Sequence, residues 1–205
     1  MVTNMLSLLV DIKDKYCVVV GGGKIAYRKV RMLLAEGASV TVISPEVCSE
    51  IEELSRNGEI KLVRRKGMEE DFAEAFLTVA ATNDSQENRR IAQQLKSISL
   101  VNDASSYEEG NCQLPASFKK GRLHLTVSTN GASPKLAKKI KEEWQHTYDD
   151  NYIAYIDFLF EVRTLIKKKS LSPEVSDAIL GEILDDAYKE SATLRHIYYE
   201  KLLNL

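Results

Sequence analysis

Tyr16-Cys17-Val18-Val19-Val20-Gly21-Gly22-Gly23-Lys24-Ile25-Ala26 carries the chain from an apolar, β-branched run through three glycines into a helical pattern over Ile25–Glu36. The segment Gly21–Ala26 fits G-x-G-x-x-A, and its place between a strand and a helix gives that weak pattern its weight. Gly21 permits the tight turn, Gly23 lacks the Cβ that would keep a pyrophosphate from the backbone, and Ala26 lets helix and strand approach closely. The start of the helix offers free N–H groups and the positive end of its dipole to phosphates. Gly21, Gly22, Gly23, Lys24 and Ile25 are therefore candidate cofactor-binding residues.

Outward from this loop the alternation continues. Gly37 ends the helix, as glycine commonly does. Strands are predicted over Ser39–Ile43, Ile60–Arg64, Leu77–Ala81 and Ser99–Asp103, and helices over Pro45–Arg56, Glu69–Ala75 and Ser85–Leu95. Nearly continuous apolar strands alternating with helices call for a parallel sheet covered on both faces. The fold class is α/β, with an N-terminal Rossmann-type doubly wound parallel sheet. After the polar loop Ser105–Asn111 the pattern changes. A strand at Leu123–Ser128, a turn at Asn130-Gly131 and a helix over Pro134–Trp144 form a small connecting segment. From Tyr148 the chain is helical, with apolar residues such as Ile153, Ile156, Leu159 and Ile166 at helical spacing. The expected division is 1–112, 113–146 and 147–205.

The 205 residues hold 28 basic and 30 acidic side chains, a net charge of −2, which argues against a general nucleic-acid binder. No apolar run reaches the ~20 residues of a membrane span, and Met1–Val10 lacks the basic leader and cleavage site of a signal peptide. Three widely spaced cysteines, Cys17, Cys48 and Cys112, make neither a disulfide framework nor a zinc knuckle. These features suit a soluble protein of the cytoplasm with no membrane and no nucleic-acid partner. Charge is uneven: Gln113–His146 carries seven Lys/Arg against two Glu, and Thr147–Leu205 seven basic against eleven acidic residues. Such runs are commonly solvated helix faces, but a basic wall also suits a multiply anionic ligand.

Ligands of open α/β sheets bind beyond the carboxyl ends of the strands. Ser44, Pro45 and Glu46 follow the second strand, where an acid usually holds the cofactor ribose. Ser44 stands at that position and Glu46 is the nearby acid, so either is a candidate. With no arginine beside them to hold a 2′-phosphate, NAD is favoured over NADP. Thr82 and Asn83, after the fourth strand, are expected at the cofactor crevice. Asp103 ends the fifth strand, where the sequence alone suggests a turn-forming aspartate. His124 sits within a predicted strand, and the other two histidines, His146 and His196, in predicted helices. No dense cluster of metal ligands stands out, and no metal is assigned. The aromatics Tyr148, Tyr152, Tyr155, Phe158 and Phe160 are expected to pack the helical tail.

Several short motifs occur together and in order: Val19–Lys29 around the glycines, Thr41-Val42-Ile43-Ser44-Pro45, Ala80-Ala81-Thr82-Asn83-Asp84, Val101-Asn102-Asp103-Ala104, Leu114-Pro115-Ala116 and Ser128-Thr129-Asn130-Gly131-Ala132-Ser133-Pro134. In this set the chain resembles the precorrin-2 dehydrogenase family of siroheme synthesis. The resemblance implies NAD-dependent oxidation of precorrin-2 to sirohydrochlorin by a homodimer, with the segment 113–146 helping to form the dimer. It makes Asp103 the candidate catalytic residue, as general base or as the group that orients a pyrrole nitrogen. It makes Ser128, Thr129, Asn130, Gly131, His124 and Lys135 candidate substrate-binding residues, since the substrate carries many carboxylates. Two alternatives stand beside it: a bifunctional dehydrogenase and ferrochelatase, and a non-catalytic module that senses NAD or tetrapyrrole.

Overall fold

The β-branched runs pair as parallel strands in the computed structural model, which describes residues 5–204; the ends of the expected 1–112 and 147–205 divisions, at 1–4 and 205, lie outside the described residues. Strands β1 (Tyr16–Val20), β2 (Ser39–Ile43), β3 (Lys61–Val63), β4 (Leu77–Ala80) and β5 (Leu100–Asp103) form one sheet in the order β3-β2-β1-β4-β5. Every pairing is parallel. The strand order reverses between β1 and β4, the position where such sheets open a crevice at their carboxyl ends.

Helices α1 (Lys24–Ala35), α2 (Ser49–Arg56) and α3 (Ser85–Leu95) cover the two faces. Alternation along β1 sends Cys17 and Val19 to one face, with Ala26, Val30 and Leu33 of α1 and Ile51 and Leu54 of α2. Val18 and Val20 go to the other face, with Ile91, Ala92 and Leu95 of α3 and Phe72. A strand buried on both sides reads as an unbroken apolar run, and that is why β1 lacks polar alternation.

Two expected helices differ. Residues 45–48 form a turn and α2 starts only at Ser49, because Ser44 donates from Oγ to the Glu46 carbonyl at 2.6 Å and Pro45 follows it. Around Glu69 only a 3-10 turn forms, Glu69–Asp71, closed by the Asp71 carboxylate accepting from the Met68 N–H at 2.7 Å.

The chain divides between Leu114 and Pro115 into two compact units. In the second, β6 (Ala116–Lys120) and β7 (Leu123–Val127) make an antiparallel hairpin around Gly121, whose φ of +54° favours glycine. The sequence reading lacks β6, whose Ala-Ser-Phe-Lys-Lys shows little strand character alone. Helices α4 (Pro134–Thr147), α5 (Asp150–Lys169), α6 (Pro173–Glu182), α7 (Asp186–Glu190) and α8 (Ala192–Leu203) follow. Tyr155, Phe158, Val162, Ile179, Ile183, Tyr188 and Tyr198 form the core of α5 to α8. Phe160 faces solvent instead, with the Arg122 guanidinium 3.4 Å from its ring centroid. Among the described residues no helix is long and apolar enough to cross a membrane.

Candidate active site at the carboxyl edge of the sheet

The glycine loop is shaped by its neighbours. Gly21 has φ +123°, and a Cβ there would lie 2.2 Å from the Ala81 carbonyl oxygen after β4. A Cβ on Gly22 would lie 1.9 Å from the Glu46 carbonyl oxygen after β2. The loop is pinned by the Gly21 N–H donating to the Ile43 carbonyl at 2.9 Å and the Cys48 N–H donating to the Gly22 carbonyl at 2.8 Å. Gly23 is different: the nearest atom to a Cβ there is Asn83 Oδ1 at 4.0 Å. Two glycines are thus required by protein contacts, and the third faces open space beside the exposed Lys24 and Ile25. Gly23 caps α1 without a side-chain hydrogen bond, and no acidic residue stands in the first turn. The amides at that end remain available to an anion. Bare backbone, open room and an uncapped helix end fit a dinucleotide pyrophosphate.

The topology brings the loops after β1, β2 and β4 together here. Ser44 is buried and its hydroxyl proton goes to the Glu46 carbonyl, so it organises the turn, while the Pro45 and Glu46 side chains are exposed. A feature missed from the sequence is the end of β3. The Ser44 N–H donates to Val63 at 3.0 Å, which sets Arg64 and Arg65 next along the edge. Both guanidiniums are engaged: Arg64 with Glu52, Arg65 with Asp71 at 2.6 and 2.7 Å. Sequence spacing points only to the residues that follow β2, whereas the end of β3 is brought alongside by strand pairing.

Asp103, at the end of β5, is 4% exposed. Its Oδ1 accepts from Ser105 N at 2.7 Å, Ser105 Oγ at 2.6 Å and Ser106 N at 3.2 Å. Its Oδ2 is buried with no hydrogen-bond partner among the described residues. A buried carboxylate oxygen left bare is costly and marks a place where a ligand donor is wanted. Asp103 shares the α3 face of β5 with Val101, two residues earlier. On that face stands Asn88, wholly buried on α3. Asn88 Oδ1 accepts from Thr82 N at 2.9 Å and Thr82 Oγ1 at 2.7 Å; Nδ2 donates to the Thr82 carbonyl at 3.2 Å and to Ser105 Oγ at 3.3 Å. Asn88 was missed, although the sequence held a signal: it lies three, four and seven residues before Ile91, Ala92 and Leu95, a polar residue on an apolar helix face. Nearby, Arg89 pairs with Glu109; hydrogen bonds to that carboxylate hold the guanidinium above its usual range, and the charge of Asp103 adds to this.

The substrate candidates lie in the second unit. His124 is exposed on β7, opposite Lys119. Asn130 (φ +47°) and Gly131 (φ +83°) turn the chain into α4. Within this turn the Asn130 N–H donates to Ser128 Oγ at 3.1 Å, Ser133 N to Thr129 Oγ1 at 3.0 Å, and Leu136 N to Ser133 Oγ at 3.2 Å. These amides already have internal acceptors, so the turn offers fewer free donors than the glycine loop. Of the basic residues, Lys120 pairs with Asp150 at 2.6 Å, Arg122 with Asp157 at 3.2 Å and Lys138 with Glu142 at 3.4 Å. Lys135 is exposed and makes no ion pair among the described residues. Nor do three or more His, Cys, Asp or Glu come together there as metal ligands.

A five-stranded parallel sheet with a glycine loop at its switch point and a buried carboxylate two strands away defines a dinucleotide-dependent oxidoreductase scaffold. Comparison with known proteins narrows this. A model of NAD(P)-binding domains matches residues 8–116, one of the sirohaem biosynthesis protein central region matches 120–143, and one of the SirC C-terminal domain matches 152–196. The chain is 41% identical over 198 residues to a precorrin-2 dehydrogenase of Priestia megaterium, covering 97% of this chain and 98% of the relative. It is 36% identical over 159 residues to a precorrin-2 dehydrogenase of Bacillus subtilis, covering 78% and 98%. A solved structure of SirC, precorrin-2 dehydrogenase, superposes with a TM-score of 0.84 at 40% identity, covering 98% of this chain and 100% of that one. The chain belongs to the precorrin-2 dehydrogenase family.

Proposed function

We propose that this chain oxidises precorrin-2 to sirohydrochlorin with NAD as the acceptor. One observation carries the site assignment: Asp103 is buried at the carboxyl edge of an NAD-binding sheet with one oxygen saturated by donors and the other bare. The reaction removes two electrons and two protons from the tetrapyrrole. NAD, when bound at this loop, would supply the electron sink as a hydride acceptor. The remaining proton needs a base, and Asp103 Oδ2 is the acceptor that the fold leaves free. Gly21, Gly22, Gly23, Lys24 and Ile25 seat the pyrophosphate, Thr82 and Asn83 border it, and Glu46 takes a ribose hydroxyl. The exposed Glu46 carboxylate would repel a 2′-phosphate, which supports NAD over NADP.

His124, Lys135 and the turn Ser128–Gly131 are proposed to meet the substrate carboxylates. The three-part division, with 113–146 as a dimerisation segment, is supported by separate family models for the central and C-terminal regions. The two-stranded β6–β7 sheet has open edges, and such ribbons gain stability by finding neighbours. We infer a homodimer, for which light scattering should return twice 23.1 kDa. Free Cys17, Cys48 and Cys112 suit the cytoplasm.

The test is anaerobic mixing of purified protein with fresh precorrin-2, with and without NAD. NADH should form in step with the sirohydrochlorin spectrum. Intact precorrin-2 and NAD left unchanged by the protein would refute the assignment.

A further inference from the structure

We propose that Asn88 and Ser105 are positioning residues that polarise Asp103, so that Oδ2 alone takes the substrate proton. The inference rests on the dehydrogenase reading and on Asp103 as its base.

The direction of each hydrogen bond follows from what its partner can do. The Thr82 N–H can only donate, so the Asn88 atom 2.9 Å from it is the amide oxygen. The Thr82 carbonyl can only accept, so the Asn88 atom 3.2 Å away is the amide nitrogen. That nitrogen has no lone pair to offer, and Ser105 Oγ, 3.3 Å from it, must accept. The Ser105 hydroxyl proton is then free to go to Asp103 Oδ1 at 2.6 Å. Oδ1 also receives the Ser105 and Ser106 amides at 2.7 and 3.2 Å. Three donors occupy Oδ1, so a proton arriving at this carboxyl has Oδ2 as its seat.

The same asparagine fixes Thr82, whose neighbour Asn83 lies beside Gly23. It therefore ties the loop bordering the cofactor to the loop carrying the base. Hydride acceptor and proton acceptor must address one substrate in one pose, and a small displacement of either is costly to rate. Asn88 has no exposed surface and Ser105 points into the carboxylate, so their effect on chemistry passes through Asp103 and Thr82.

The experiment compares wild type, Asp103→Asn, Ser105→Ala, Ser105→Thr and Ser105→Cys as full-length proteins, in anaerobic assays with precorrin-2 and NAD. Freeing the Asp103 carboxylate to turn out of the productive pose should lower kcat about ten- to hundred-fold in Ser105→Ala. KM for NAD should stay within about twofold. The acid limb of the kcat profile should move to higher pH, because a donor that favoured the charged form is gone. Arg89 on α3 is the charged neighbour of Asp103, and the loop acids Glu108 and Glu109 flank it; all three are kept in every variant. Ser105→Thr keeps the hydroxyl and should recover most of the rate. Ser105→Cys keeps the volume with a weaker donor, and stands in should Ser105→Ala lose its fold.

An inactive Asp103→Asn beside a Ser105→Ala with unchanged kcat and acid limb would overturn the positioning role while leaving the base in place. A loss of rate in Ser105→Ala that threonine does not rescue, with no movement of the acid limb, would mark a structural role only and overturn it as well. Activity retained by Asp103→Asn would overturn both this inference and the choice of base. Wild-type protein that forms no NADH would refute the dehydrogenase itself.

Discussion

Gly23→Ala separates the needs of the fold from those of the cofactor. Gly23 has φ −86° and ψ −176°, which any residue adopts, and a methyl there meets nothing closer than 4.0 Å. The protein should fold. Alanine is a poorer N-cap than glycine, at a cost of about 0.5–1 kcal/mol, so Tm should fall by no more than about 4 °C. The methyl would stand where the pyrophosphate must approach the amides of α1. Losing one charge-assisted hydrogen bond costs about 1.5–3 kcal/mol, which converts to a rise of about ten- to hundred-fold in Kd for NAD. Gly22→Ala is the contrast. Its Cβ would fall 1.9 Å from a backbone oxygen of Glu46, so the turn must move and Tm should drop well beyond that of Gly23→Ala. Calorimetric titration with NAD and a thermal melt on both variants give the two readouts. A Gly23→Ala protein that melts normally and binds NAD within twofold of wild type would refute the seating of the pyrophosphate on this loop.

Other expectations concern cofactor choice, pH and reactivity. NADP should bind at least about tenfold more weakly than NAD, and Glu46→Gln should narrow the gap by removing the repelling charge; equal affinities in wild type, by titration, would count against Glu46 at the ribose. Hydrogen bonds from Arg65 and from the Met68 amide hold the Asp71 carboxyl below the usual carboxylate range. A lowered native pKa gives stability that is present above the unfolded value, ~4, and is lost as pH falls through the native one. Arg65→Ala should therefore destabilise modestly at neutral pH, the partly exposed guanidinium limiting the effect, and urea melts of the two proteins should converge as pH falls through the native pKa of Asp71. Burial pushes the Cys17 thiol up to about 11. At pH 8 it should resist alkylation in the native protein and react once unfolded, as peptide mapping by mass spectrometry would show.

Much of the sheet was legible because buried parallel strands must be apolar on both faces. The run Tyr16–Val20 and its successors could hardly be anything else between glycine and helix signals. What failed had local chemistry that overrides periodicity. The helix expected from Pro45 begins at Ser49 because a serine hydroxyl takes the Glu46 carbonyl into a turn. β6 was invisible because its strand character comes from pairing with β7. The three glycines read as a loop from sequence alone, but their division of labour is set by packing: Gly21 and Gly22 yield to protein backbone, and Gly23 faces open room. Asp103 alone reads as a turn former, and its backbone bonds are indeed those of a turn. Its second oxygen, left bare by burial, is a fact of three dimensions.

The two halves of the site rest on opposite faces of the sheet. The phosphate loop is held by the start of α1, with its core partners Ala26 and Val30 on the Val19 face. The base is held from α3, with Ile91 and Ala92 on the Val18 face. Asn88 is where α3 reaches around to touch the cofactor-side loop through Thr82. Substitutions in the glycine loop should therefore raise KM for NAD while leaving the acid limb of kcat in place, and those at Ser105 should do the reverse. Asn88 should show both effects, because its amide oxygen serves the loop at Thr82 and its amide nitrogen serves Ser105. A double-mutant cycle between Gly23→Ala and Ser105→Ala should show coupling, because Thr82 and Asn88 join the two loops in one hydrogen-bond network. Strict additivity would mean that the two loops act independently, and Asn88 would lose its place as the link.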